Sequence, residues 1–442
     1  MWLRLSLMCG LAAVAYAQQN PMDLLRRVRA KVAESLERQP RYMCTETVER
    51  SEYESGRRYI ASSCDQARRR APVHQVSSDR LRLDVAEGVN GEMYSWVGES
   101  RFNDRDLLDM VQEGAISNGA FSAFLSAVFR TEEASFTYNG DITEDGRKLS
   151  EFGFRVPYEK SHYRYGRGSR SVTTGYEGTF LVDPNMAALV RLVVRTDPLP
   201  LETAACFATT TLDYASARMR GIDFLLPADS ALDVVHTDGG ESRNRTVFSN
   251  CHEFLGESTI SFGDTATASA SAANGGTARK PLSIPEGLRF RVALAQSIDT
   301  AAAAVGDPVK AKLASPIRDH SMALIPAGAA VAARIVRIRQ FYGREPSVSL
   351  GIRIEAVETA GSFVPLTAGP DPGAPFAKPA NGALQRRVQL GVLQGMEDRA
   401  VSFAFQNVRL PYVVEGGIES NWITAKPATD RPAAIDQKYV QK

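Results

Sequence analysis

Histidine is scarce in this chain, and what little there is lies scattered. Five residues, His74, His162, His236, His252 and His320, are spread over 442 positions, and no two stand at the three- to five-residue spacing of a compact metal site. No metal and no cofactor are therefore expected. Neither a Gly-x-Ser-x-Gly elbow nor a phosphate-binding glycine loop occurs, so serine hydrolysis and phosphoryl transfer lack their usual signatures. Charge of one sign is not in excess either: 52 basic residues face 51 acidic ones, which offers nothing to a nucleic acid or an anionic membrane surface. Beyond the N-terminus no run approaches the roughly 20 apolar residues that a membrane helix needs, so no transmembrane segment is expected in the mature chain.

The one apolar run that exists comes first. Arg4 precedes Leu5 to Val14, and Ala15-Tyr16-Ala17 follows before Gln18, the pattern of a secretory signal peptide (residues 1–17) cleaved after Ala17. Export to the periplasm or beyond follows as an expectation. Cys9 leaves with that segment. The mature chain keeps Cys44, Cys64, Cys206 and Cys251, an even number in an oxidising compartment, which predicts two structural disulfides. Local closure predicts Cys44 with Cys64, across a hairpin turning near Glu54-Ser55-Gly56, and Cys206 with Cys251, at the ends of two late strands.

After the signal, Leu25, Val28, Val32 and Leu36 recur at helical spacing with charged residues between them, which predicts one amphipathic helix ending near Pro40. The period then falls to two. Arg80-Leu81-Arg82-Leu83-Asp84-Val85 alternates without a break, and turn signals at Asn139-Gly140, Asp145-Gly146, Asp183-Pro184 and Asp238-Gly239-Gly240 cut residues 134–262 into a meander of antiparallel strands. Near 104–130, the spacing of Leu107, Leu108 and Val111, and then of Phe121, Phe124, Leu125, Val128 and Phe129, predicts two short helices packed on the sheet. Residues 263–281 hold no large apolar side chain and read as a flexible linker that a protease should cut first. Strand alternation resumes at Leu288-Phe290-Val292-Leu294 and at Leu350-Ile352-Ile354, interrupted by a loop at 368–383 with four prolines. The expected architecture is mainly β. Residues 18–262 form a β-rich domain with an N-terminal helix, residues 282–425 a small β-barrel domain, and 426–442 a C-terminal tail.

The strand Tyr176 to Pro184, the following Ala188 to Leu192, and Leu212-Asp213-Tyr214 through Phe224-Leu225-Leu226-Pro227 resemble the half-barrel of the LolA-type lipoprotein carriers and their periplasmic relatives. Ile284-Pro285-Glu286-Gly287, Val305-Gly306-Asp307-Pro308-Val309 and Ala323-Leu324-Ile325-Pro326-Ala327-Gly328 resemble the ordered signature of the TrbI-type β-barrel found in conjugation and type IV secretion scaffolds. The resemblance implies an antiparallel half-barrel followed by a small barrel. In a half-barrel, alternate residues line a concave face, which places Phe152, Phe154 and Val156 on one strand beside Tyr176, Phe180 and Val182 on the next. Two readings of that face stay open: a core filled by helices, or an apolar pocket for an acyl chain or hydrophobic peptide. Three functions compete accordingly. First comes a non-enzymatic envelope protein that binds an apolar ligand or partner strand and docks through its C-terminal barrel. A scaffold without a pocket is second, and a cell-wall-acting enzyme third.

Overall fold

The structure is a computed structural model that describes residues 20–38, 41–56, 64, 72–88, 91–99, 102, 107–111, 113–167, 171–219, 221–253, 284–373, 388–392 and 399–426. The expected signal peptide, the expected linker at 263–281, most of the proline-rich loop and residues 427–442 of the expected C-terminal tail lie outside these residues.

The mainly β expectation holds. In the N-terminal unit the strands are β1 (Tyr42–Ser55), β2 (Val73–Gly88), β3 (Gly91–Trp96), β4 (Ser135–Glu144), β5 (Arg147–Val156), β6 (Tyr176–Asp183), β7 (Ala188–Thr196), β8 (Ala205–Met219), β9 (Ile222–His236) and β10 (Glu241–Glu253). From β4 to β10 each strand pairs antiparallel with the next, β10 then pairs with β1, β1 with β2 and β2 with β3. The result is one curved antiparallel sheet. Its inner face is set by alternation, since β1 buries Tyr42, Cys44, Glu46, Val48 and Arg50 in turn.

Helix α1 (Pro21–Arg38) buries Leu24, Leu25, Val28 and Val32 on that inner face, as its periodicity predicts. Arg29 on its flank donates to the carbonyls of Phe129 and Thr131, 3.0 and 2.9 Å away, and so ties α1 to the second helical piece. The helices expected near 104–130 appear as Leu107–Met110 and as Ala123–Leu125 continued by a wider turn, Ser126–Arg130.

The predicted disulfide pairing is wrong. The bridges are Cys44–Cys251 and Cys64–Cys206, with Cα atoms 4.1 and 5.3 Å apart. The reason is strand order. β10 returns to lie against β1, so Met43 faces His252 and Thr45 faces Ser249, and the irregularity between those pairs sets Cys251 beside Cys44. A local hairpin was the premise of the first expected pair, but β1 takes β2 as its other partner and Cys64 reaches Cys206 at the start of β8.

The C-terminal unit comprises β11 (Arg289–Leu294), β12 (Pro308–Leu313), β13 (Ala330–Phe341), β14 (Ser347–Thr359), β15 (Ser362–Pro365), β16 (Ala368–Pro370), β17 (Val401–Gln406) and β18 (Glu419–Thr424). Pairing runs β11–β12–β13–β14–β15, and β16–β18–β11 returns to the start. Between β15 and β16, Leu366 N donates to Glu355 O and Ala425 N donates to Thr367 O, so the ladder passes through without a gap. These pairings form a circuit enclosing Phe290, Val292, Ile335, Ile352 and Trp422.

The two units touch along one sheet edge. The outer edge of β2 pairs with β13 at Ser77–Asp79, bridges to Val305 at Leu81, and pairs with β3 from Leu83 onward. Arg334, only 5% exposed, donates to Glu355 within β14 at 2.6 Å, to Gly306 O at 2.6 Å and to Val97 O of the N-terminal unit at 2.9 Å. Arg82 and Asp307 form an ion pair across the junction. One continuous apolar cluster spans both units.

Candidate functional site

The inner face of the N-terminal sheet has two halves, covered in different ways. Over β5 to β8 the cover is apolar. Phe152, Phe154, Val156, Tyr176, Phe180 and Val182 come together as expected, because Phe152 pairs with Phe180 and Val156 with Tyr176 across β5 and β6. All six are buried under Leu24, Leu25, Val28 and Val32 of α1 and under Phe124, Leu125, Val128 and Phe129. Phe180 stacks on Phe152 at 5.2 Å and meets Phe129 edge-on at 5.0 Å. Helical side chains fill this half of the concavity.

Over β1, β2, β3 and β10 the cover is different in kind. A non-helical strap, residues 113–122 (Glu-Gly-Ala-Ile-Ser-Asn-Gly-Ala-Phe-Ser), crosses the inner face. Phe121 is its main apolar anchor, 5.1 Å from Tyr42 and 5.2 Å from Phe248 between ring centroids. Polar groups of the sheet hold the rest. Glu92 on β3 accepts from Gly119 N at 2.6 Å and Phe121 N at 2.8 Å, and Glu87 on β2 accepts from Ser122 Oγ at 2.6 Å. Glu92 also accepts from the Tyr94 hydroxyl of its own strand at 2.5 Å. Asn244 on β10 donates to Ala115 O at 2.7 Å, and Tyr214 on β8 donates to Ala120 O at 3.3 Å. Arg50 on β1, paired with Asp79, donates to Glu113 O at 2.5 Å. Gly114 makes that contact possible: its φ of +79° is left-handed, and a Cβ there would lie 2.8 Å from the Arg50 guanidinium. From the C-terminal unit, Arg337 reaches the Glu113 carboxylate at 3.2 Å.

Glu46 lies on this face at 4% exposure. Burial, and secondarily the charge of Glu92, push its carboxyl up to about 8, so at neutral pH it is mainly the neutral acid. Glu87 sits directly across from Glu92 in the β2–β3 register; its Oε2 is buried without a partner, and burial raises its carboxyl as well. Glu87 and Glu92 thus face each other under the strap, while Glu46 stands opposite Leu83, on the same face of the sheet. Ala120 packs against both apolar clusters, so the floor under the strap runs on into the aromatic half.

Sequence reasoning passed over this half. The signal was present, because the alternation Tyr42-x-Cys44-x-Glu46-x-Val48 puts a carboxylate in the middle of an inward-facing row. Elsewhere, a shallow groove of about 640 Å³ crosses the outer face over Thr137, Gly153, Thr179 and Thr209, where Arg155 is closed off by Glu177 and Asp197. A smaller hollow of about 240 Å³ lies between the units, beside Arg50 and Gln340. No three His, Cys, Asp or Glu side chains among the described residues converge closely enough to hold a metal ion.

No family model matches the sequence, and no curated protein matches it. Among solved structures, the chain is similar to a DUF1329 family protein from Desulfovibrio piger at 11% identity and a TM-score of 0.29, covering 54% of this chain and 95% of that one. It is similar also to an outer membrane lipoprotein-sorting protein domain from Vibrio parahaemolyticus (10%, TM-score 0.27, 54% and 94%) and to a LolA superfamily protein from Nitrosomonas europaea (7%, TM-score 0.25, 53% and 93%). Likenesses this distant carry no argument about what the chain does.

Proposed function

We propose that the chain is a non-enzymatic protein of the bacterial envelope, exported by the signal peptide at 1–17, that binds an apolar ligand, a lipid or a hydrophobic peptide, on the inner face of its N-terminal half-barrel. The observation that carries this reading is the strap at 113–122. Half of the inner face is covered by a loop that Phe121, the partly buried Ile116 and a set of polar contacts hold, and such a cover comes away at lower cost than a packed helix. Ligand entry displaces the strap. The ligand's apolar part lies on Tyr42, Leu83, Val85 and Phe248 and extends toward Phe152, Phe154, Val156, Tyr176, Phe180 and Val182. The C-terminal module, 282–425, with its TrbI-like signature, docks the carrier to an envelope partner, while its Arg337 grips the strap at Glu113.

A second reading, a scaffold without a ligand, draws support from the complete burial of the six aromatic-half residues. Native mass spectrometry of full-length protein purified from its own envelope fraction separates the two. Non-covalent adducts of lipid or peptide mass support the carrier. A bare mass, together with no uptake of added dodecanol, overturns it in favour of the scaffold.

A further inference from the structure

The sheet holds the strap largely by its main chain, and a main chain is what fits in its place. Arg50 donates to Glu113 O and Asn244 to Ala115 O, Gly119 N and Phe121 N donate to Glu92, and Tyr214 donates to Ala120 O. Such contacts are nearly blind to sequence, because every residue but proline carries the same N–H and C=O. Sequence enters at the two ends. At one, the Glu113 carboxylate lies 3.2 Å from Arg337 and 3.5 Å from Arg339 of β13. Arg337 Nε is buried there and has no acceptor among the described residues, so the arginine pair holds more donors than Glu113 uses. At the other end the Phe121 ring sits against Tyr42 and Phe248. Glu113 and Phe121 are eight residues apart, as are Arg50 and Tyr42 beneath them on β1. The strap therefore follows β1 in an open conformation.

We propose that the ligand taken up in place of the strap is an open peptide segment of another protein. It bears an acidic side chain for Arg337 and Arg339 and, at the spacing of Glu113 and Phe121, a large aromatic side chain for the seat beside Tyr42 and Phe248. When the strap lifts, Arg50 Nη1, the Asn244 amide, the Tyr214 hydroxyl and the Glu92 carboxylate lose the partners that it supplies. A second chain in the same place restores them with its own N–H and C=O groups. A hydrocarbon tail covers the apolar floor but offers none of these partners, and polar groups buried without partners are costly. The proposal rests on the carrier reading and decides between the two ligands, lipid and peptide, which that reading allows.

The test adds labelled synthetic peptides to full-length protein and reads binding by fluorescence polarisation. One peptide has the strap's own sequence, residues 113–122, with blocked ends; the others replace its Glu by Gln, replace its Phe by Ala, or scramble it. The strap peptide should bind the wild-type protein. The Gln peptide should bind about three- to tenfold more weakly, as for partly exposed ion pairs, and the Ala peptide roughly thirtyfold more weakly, as for a lost aromatic anchor. Glu113→Gln in the protein loosens the resident strap and keeps both arginines, so it should tighten binding of the strap peptide by about three- to tenfold. In Arg337→Gln the Glu and Gln peptides should bind more nearly alike. Equal binding of the strap and scrambled peptides overturns the peptide assignment and leaves the carrier reading standing. So does a protein that takes up dodecanol while neither its wild-type form nor Glu113→Gln binds the strap peptide. Binding of neither peptide nor dodecanol overturns both.

Discussion

Replacing Glu46 by Gln should make the protein more stable at neutral and alkaline pH and leave it nearly unchanged in acid. In the folded chain the carboxyl is raised from about 4.5 to about 8, by burial first and by Glu92 second. A carboxyl whose folded value lies above its unfolded value binds more protons in the folded state between the two. Its contribution is therefore fully present below about pH 4.5 and is lost as pH rises through about 8. Each pH unit crossed between the two values costs about 1.36 kcal/mol, so the loss between pH 5 and pH 8 comes to roughly 3 to 4 kcal/mol, a large fraction of a typical unfolding free energy. Gln cannot ionise and does not incur it. Urea unfolding of both proteins across this range should give curves that converge near pH 5 and separate by that amount at pH 8. Parallel pH profiles would refute the claim that burial holds Glu46 as the neutral acid.

Phe180→Ala removes the ring at the centre of the aromatic half and should lower the unfolding free energy by about 3 to 5 kcal/mol in chemical denaturation; a loss under about 1 kcal/mol would mean that this half is not packed as described. Non-reducing peptide mapping should recover Cys44 linked to Cys251 and Cys64 linked to Cys206, and reduction should destabilise the N-terminal unit by up to about 5 kcal/mol for each long loop opened. Arg334→Ala leaves Glu355 with Arg353 alone and frees the carbonyls of Gly306 and Val97, so a cost of about 1 to 3 kcal/mol is expected, read as earlier thermal unfolding and faster proteolysis at the junction.

How far the sequence reaches depends on whether a feature is local. The helix Pro21–Arg38 and the meander β4 to β10 follow from spacing and turn chemistry within a few residues, and both are found where the pattern puts them. The shared face of Phe152 and Phe180 was legible for the same reason. What lies on top of that face was not, because it depends on where two helical segments far apart in sequence come to rest. The disulfides failed on the same ground. Pairing β10 back onto β1 joins residues 207 positions apart, and nothing near Cys44 or Cys251 announces it. The junction between the units, where β13 meets β2 at Ser77–Asp79, is equally non-local. Glu46 is a different case. Its place on an inward row could be read from β1 alone, but the depth of its burial and its nearness to Glu92 depend on how distant segments fold over it.

Whether the strap at 113–122 yields to the ligand is tested most directly by hydrogen exchange at the amides of Gly119 and Phe121. Both donate to Glu92 in the covered state and should be protected in the free protein. On saturation with dodecanol these two amides should lose protection, while the amides of β5 and β6 keep theirs. Saturated binding with Gly119 and Phe121 still protected would place the ligand elsewhere and contradict displacement of the strap.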